Sequence, residues 1–221
     1  MNHLLDRVRH LQARIEKACE SSGRDPGTVE VLPVSKRQAV SLIREASMLG
    51  FRTFGENYVQ EGLAKAQELP DLRFILIGPL QRNKTKHALL HFQELMTVDR
   101  ESLANRLIHT AEDLAVSRPA WIQVDLWNEG SKVGGCATGD LAGLIATLEA
   151  APQLPLRGFM AIPPPGNSEA FHELSRLRQD WQQRLGRHLR LSMGMSDDLE
   201  AAIAAGSDQV RIGTALFGDR G

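Results

Sequence analysis

Between Val29 and Phe217, short apolar runs and helical stretches take turns eight times, and this regular alternation restricts the possible architectures more than any other property of the chain. The apolar runs are Val29 to Val34, Phe51 to Phe54, Phe74 to Ile77, Leu95 to Val98, Trp121 to Leu126, Leu156 to Ile162, Leu189 to Ser192 and Val210 to Ile212. They are rich in β-branched and aliphatic residues and show little period-2 alternation, as strands of a parallel sheet buried on both faces require. Helical stretches follow each run, ending near Leu49, Leu69, Phe92, Val116, Glu149, Leu185, Ala205 and Phe217. One more helix precedes the first run. Leu4, Val8, Leu11, Ile15 and Cys19 recur at three- and four-residue spacing before the breaker run Ser21-Ser22-Gly23-Arg24-Asp25-Pro26. Eight strand–helix units predict an α/β fold, a closed (β/α)8 barrel with an extra N-terminal helix. The alternative, an open doubly wound sheet, usually stops at about five to seven strands. A chain of 221 residues suits one barrel, so residues 1–221 are expected to form a single domain.

Several function classes drop out on charge and cysteine usage. A net charge of −1 gives no electrostatic reason to bind nucleic acid or an anionic membrane, so an anion site, if present, has to be local. The two cysteines, Cys19 and Cys136, lie far apart with no C-x-x-C or His/Cys cluster, which argues against a disulfide framework or a metal site. The N-terminus is charged throughout and lacks the apolar core of a signal peptide, and no apolar run is long enough to cross a bilayer; the expected location is the cytoplasm.

In barrels of this kind chemistry collects at the carboxyl ends of the strands. Ser35-Lys36 follows the first strand, Gly55-Glu56-Asn57-Tyr58 the second, and Gly78 to Lys84 the third. Ser192-Met193-Gly194-Met195-Ser196 follows the seventh, and Arg211-Ile212-Gly213-Thr214 closes the eighth. The last two strands are where this fold commonly holds a phosphate. Gly194 permits close backbone approach, Ser192 offers a hydroxyl, and Gly213-Thr214 opens a final helix. Each loop alone reads as a tight turn; two on adjacent strands predict an anion cup. Lys36 follows an apolar run, so its amine sits at the barrel mouth with an apolar floor behind it, where desolvation favours the neutral, nucleophilic form. The chain has 20 arginines and only six lysines, and arginine cannot form a Schiff base, so a lysine in this place is a marked choice. A carbonyl-trapping lysine opposite a phosphate site describes an aldolase as well as a pyridoxal phosphate protein. Arg211 leans toward pyridoxal, since a cation near the ring nitrogen would keep that nitrogen unprotonated. An ion pair of Arg211 with Asp99 or Glu56 is the competing reading. Arg82, Lys84 and Lys132 could form a second anion or partner site near the mouth, although charged loops are usually just solvated.

At these residues the chain resembles the pyridoxal phosphate homeostasis proteins, relatives of the N-terminal barrel domain of alanine racemase. The similarity is carried in order by Gly23-Arg24-Asp25-Pro26, Val34-Ser35-Lys36, Phe54-Gly55-Glu56-Asn57-Tyr58-Val59-Gln60-Glu61, Ile77-Gly78-Pro79-Leu80-Gln81-Arg82-Asn83-Lys84, Ser131-Lys132, Gly158-Phe159-Met160-Ala161-Ile162, Leu191 to Asp198 and Val210 to Gly218. The resemblance implies a monomeric barrel with pyridoxal 5'-phosphate as a Schiff base on Lys36. It implies a phosphate held by Ser192, backbone near Gly194 and Met195, and Gly213 with Thr214, with Arg211 facing the pyridine nitrogen and Asn57 near the cofactor. It further implies a carrier or regulator of the coenzyme, with apo-enzymes as recipients, rather than an enzyme. The alternative is a pyridoxal-dependent amino-acid racemase. Such an enzyme needs a second acid/base group on the far face of the substrate, which alanine racemase takes from a further domain. Tyr58, the only tyrosine, sits at a helix start, and no such domain follows in the chain, so negligible racemisation is expected. The chain departs from the family's common pattern at Phe74-Ile75-Leu76, where many relatives have Trp-His-Phe, at Met96, where a His is common, and over Val124 to Gly130.

Overall fold

A computed structural model describes residues 3–127, 134–164 and 166–218. The strands are β1 (Glu30–Pro33), β2 (Thr53–Glu56), β3 (Arg73–Leu76), β4 (Glu94–Val98), β5 (Ala120–Asp125), β6 (Cys136–Ala137), β7 (Leu156–Met160), β8 (Arg190–Ser192) and β9 (Gln209–Ile212). All pairings are parallel, in the order β1-β9-β8-β7-β5-β4-β3-β2. The ring closes where Val34 bridges Gly55 and the Ser35 N–H donates to the Gly55 carbonyl at 2.9 Å. Eight strands therefore form the barrel that the alternation predicts, and the open sheet is set aside. The two-residue β6 pairs only with the end of β5 and is too short to leave a periodic signal in sequence.

Alternate strand residues face opposite sides, which gives the barrel an inner and an outer core. Leu32, Val34, Ile75, Ile77, Met96, Trp121 and Met160 fill the barrel interior. Phe54, Phe74, Leu76, Leu95, Ile122 and Phe159 point outward into the larger core beneath the helices. Two departures from the family pattern, Ile75 and Met96, meet in the interior layer on the neighbouring strands β3 and β4. Trp121 is fully buried there and donates its indole N–H to Glu94 Oε2 at 2.7 Å. Trp121→Ala is expected to cost about 3–5 kcal/mol, through lost transfer energy, a cavity and an orphaned carboxylate contact. Urea unfolding of the two proteins measures it.

The N-terminal helix α1 (His3–Ser21) buries the predicted stripe of Leu4, Val8, Leu11, Ile15 and Cys19. It packs on the last two helices, α8 (Leu199–Ala204) and α9 (Thr214–Phe217). Arg14 forms a bidentate pair with Glu200 of α8 at 2.7 and 2.9 Å. Arg24 donates from one nitrogen to the carbonyls of Ile203 and Ser207, both at 2.8 Å, and so satisfies groups left open where α8 ends. Asp25 accepts from the Gly27 N–H at 2.9 Å and caps the short 3-10 turn that leads into β1. The Gly-Arg-Asp-Pro motif is thus a fastener between the end of α1 and the end of α8. No helix among the described residues is long and apolar enough to cross a membrane.

Candidate functional site

A cavity of about 220 Å³ opens at the carboxyl ends of the strands. Lys36, Asn57, Met195, Arg211, Gly213 and Thr214 all line it. Topology explains the convergence. Lys36 follows β1, Asn57 follows β2, Met195 lies in the loop after β8, and Gly213-Thr214 passes from β9 into α9. Because β1 and β9 are hydrogen-bonded neighbours, the first and last loops meet although they are separated by nearly the whole chain. Val34, Ile77 and Ile162 form the apolar wall expected behind Lys36.

The structure does not bring Ser192 or Gly194 to the cavity wall, and both work from behind it. The Ser192 side chain is fully buried; its hydroxyl donates to Gln209 Oε1 at 3.0 Å and accepts from Arg211 at 3.0 Å. It anchors the arginine. Gly194 has φ +90°, a Cβ there would lie 2.4 Å from that of Ala202, and its carbonyl accepts from the Arg211 N–H at 2.9 Å. Sequence reasoning passed over a second hydroxyl of the same motif. Ser196 lines the cavity, and its Oγ accepts from the Ala215 N–H at 3.1 Å, at the first turn of α9. Ser192 had drawn attention because it ends a strand; Ser196 lies one turn further on in the same motif. Asp198 fixes that turn by accepting from the Met195 N–H at 2.6 Å. Asp197 also lines the cavity.

Arg211 is 5% exposed, and its guanidinium donates to the Ser192 carbonyl and the Ala161 carbonyl, each at 2.8 Å. The ion-pair reading is corrected here. Glu56 pairs with Lys65 at 2.7 Å and Asp99 with Arg100, so neither carboxylate serves Arg211. Burial pushes the Arg211 guanidinium down to about 10, opposed by the charge of Asp198; it stays cationic at neutral pH. A buried cation held by carbonyl dipoles instead of a counter-ion is a costly arrangement of the kind found at functional sites.

Two further observations bear on whether a coenzyme fits. Asn57 Oδ1 is buried with no hydrogen-bond partner among the described residues, so a donor on a ligand would satisfy it. At Gly213 an added Cβ would meet nothing nearer than Val34 at 3.8 Å, which leaves that backbone open to an approaching group. Amine, cation, hydroxyls and open backbone on one cavity fit a small anionic aldehyde. Arg82 and Lys84 lie in the 3-10 turn Arg82–Lys84 after β3 and do not line the cavity. Lys132, with the rest of the 128–133 stretch, lies outside the described residues. Among the described residues no cluster of three or more His, Cys, Asp or Glu side chains is arranged to hold a metal ion.

Comparison with known proteins agrees with this geometry. The family model described as alanine racemase, N-terminal domain, matches residues 6–221. The pyridoxal phosphate homeostasis protein of Pseudomonas aeruginosa is 44% identical, over 100% of this chain and 97% of that protein. PipY of Synechococcus elongatus PCC7942, solved with PLP bound, superposes with a TM-score of 0.82 at 36% identity, over 93% of this chain and all of that one. An alanine racemase of Clostridium difficile 630 shares the fold alone, with a TM-score of 0.75 at 14% identity, over 98% of this chain and 57% of the racemase.

Proposed function

Because the chain belongs to the pyridoxal phosphate homeostasis protein family and carries the alanine racemase N-terminal domain over residues 6–221, we propose that it binds pyridoxal 5'-phosphate and acts in keeping the cell's supply of that coenzyme. The reading rests on one observation: Lys36, Arg211 and the Gly213-Thr214 turn share a single cavity. When bound, the coenzyme supplies an aldehyde that condenses with an amine and a ring that can act as an electron sink. Lys36 supplies the amine and holds the coenzyme as a Schiff base. Ser196, Thr214 and the Gly213 backbone hold the phosphate, with Met195 beside them, and Ser192 and Gly194 act at one remove by fixing Arg211. Asn57 accepts from the coenzyme through its unpartnered oxygen. Arg211 faces the pyridine nitrogen, and a permanent cation there disfavours protonation of that nitrogen and weakens the ring as a sink.

A carrier is therefore favoured over an amino-acid racemase. Tyr58 is 47% exposed and does not line the cavity, so it is poorly placed as a second acid/base group. In this reading residues 1–221 work as one cytoplasmic domain, as a monomer, with pyridoxal-dependent apo-enzymes as recipients. The test is an absorption spectrum of the purified protein, followed by borohydride reduction and peptide mapping. A band at roughly 420 nm, where the imine of this coenzyme absorbs, should appear, and reduction should fix the label on the Lys36 peptide. Absence of the band after incubation with the coenzyme, or a label on another lysine, would overturn the assignment.

A further inference from the structure

Lys36 is flanked by two residues that are both tied to another part of the barrel. Helix α3 (Val59–Glu68) carries Glu61 and Lys65 one turn apart. Lys65 is 5% exposed and points inward, against the usual habit of a helix lysine. Its Nζ donates to the Ser35 carbonyl at 2.6 Å, to Glu56 Oε1 at 2.7 Å and to Glu61 Oε1 at 2.7 Å. An ammonium has three protons, so none is left over. Ser35 is held a second time, since its hydroxyl donates to Glu56 Oε1 at 2.6 Å. On the other side of Lys36, the Arg37 N–H donates to Glu61 Oε1. Arg37 has φ +59°, a left-handed conformation that is unfavourable for a side-chain-bearing residue and persists only where its surroundings enforce it.

We propose that Lys65, with Glu56 and Glu61, is a positioning clamp for the coenzyme-binding amine: it draws both neighbours of Lys36 onto β2 and α3, bends the chain at Arg37, and so sets Lys36 at the cavity wall. The inference rests on the assignment of Lys36 as the attachment residue. It assigns to Lys65, which is buried where Lys36 is only partly so, a role that excludes it from the chemistry. With every proton of its ammonium engaged between two carboxylates and a carbonyl, Lys65 is not a free amine for an aldehyde. Glu61 is the tractable handle, because its side chain is 25% exposed and its loss leaves no deep cavity.

The test is the rate at which the imine band grows when the coenzyme is added to coenzyme-free protein, in stopped flow. Pyridoxine 5'-phosphate, which has the phosphate and ring but no aldehyde, measures binding without the covalent step. Glu61→Ala is expected to slow band growth on the order of 10- to 100-fold, the penalty of a reacting group displaced by about an ångström. Glu61→Gln, which keeps an acceptor for the Arg37 N–H, should recover most of the rate. Affinity for the aldehyde-free analogue should stay within about twofold of wild type in both. Wild-type rates in Glu61→Ala would overturn the clamp, and so would a parallel loss of analogue affinity, which marks a general loosening of the site. If the wild-type protein itself forms no band, it is the assignment of Lys36 that fails.

Discussion

Lys36→Ala protein is expected to leave the cell without the imine band and to retain less than about a tenth of the wild-type coenzyme after gel filtration, a loss of at least about 1.4 kcal/mol in binding. The proposed phosphate cup at Ser196, Gly213 and Thr214 does not involve the Lys36 side chain, so rapidly exchanging, non-covalent binding should remain. What disappears is the covalent hold. A substitute amine is hard to find among the described residues. Lys65 is saturated by three acceptors, and Lys17, Lys84 and Lys86 do not line the cavity. The other cation lining the cavity among the described residues is Arg211, and a guanidinium cannot form an imine. Coenzyme content after acid release, set beside the spectrum, separates the two modes of binding. A full covalent complement in the variant would remove Lys36 from its assigned role.

Much of this arrangement could be read from the sequence because it depends on local rules. The eight strands, the α1 stripe and the placing of Lys36 at the end of an apolar run all follow from periodicity and from the habit of this fold to gather chemistry at strand ends. What escaped depends on where side chains meet across long sequence separations. Glu61 and Lys65 stand four residues apart on a helix, a spacing common to solvated pairs; only the packing of α3 beside β2 turns Lys65 inward to Ser35. Arg211 takes up the Ser192 hydroxyl, and Ser196 is the serine left on the cavity wall. A motif of the form Ser-Met-Gly-Met-Ser cannot reveal that.

The same logic makes Arg211 informative. Its hydrogen bonds link the ends of β7, β8 and β9 through the Ala161 and Ser192 carbonyls, so the cation expected to hold a ring nitrogen unprotonated also fastens three strands at the mouth. Site and scaffold are one network here. Ser192 and Gly194 have a part in the site for that reason, although neither reaches the cavity.

Gly78→Ala should be the most damaging single-methyl substitution at the mouth. A Cβ at this position would lie 2.1 Å from the Asn57 carbonyl oxygen and 2.6 Å from its Cα, and both are backbone atoms that cannot rotate away. The carbonyl of Gly78 is itself held by the Thr97 hydroxyl at 2.7 Å, while the Ile77 N–H donates to the Glu56 carbonyl at 2.9 Å, so neither strand end can yield alone. A cost of about 4 kcal/mol or more is expected, a large part of a typical domain's total of about 5–15 kcal/mol. Any protein that still folds must move Asn57, so its affinity for the coenzyme should fall along with its stability. Gly139→Ala provides the comparison, since a Cβ there meets nothing within 4 Å and should change stability by less than about 0.5 kcal/mol. Urea unfolding of both variants decides the matter. A Gly78→Ala protein within about 1 kcal/mol of wild type would mean that the close approach of the two backbones, and with it the placement of Asn57, is not what holds this side of the site in shape.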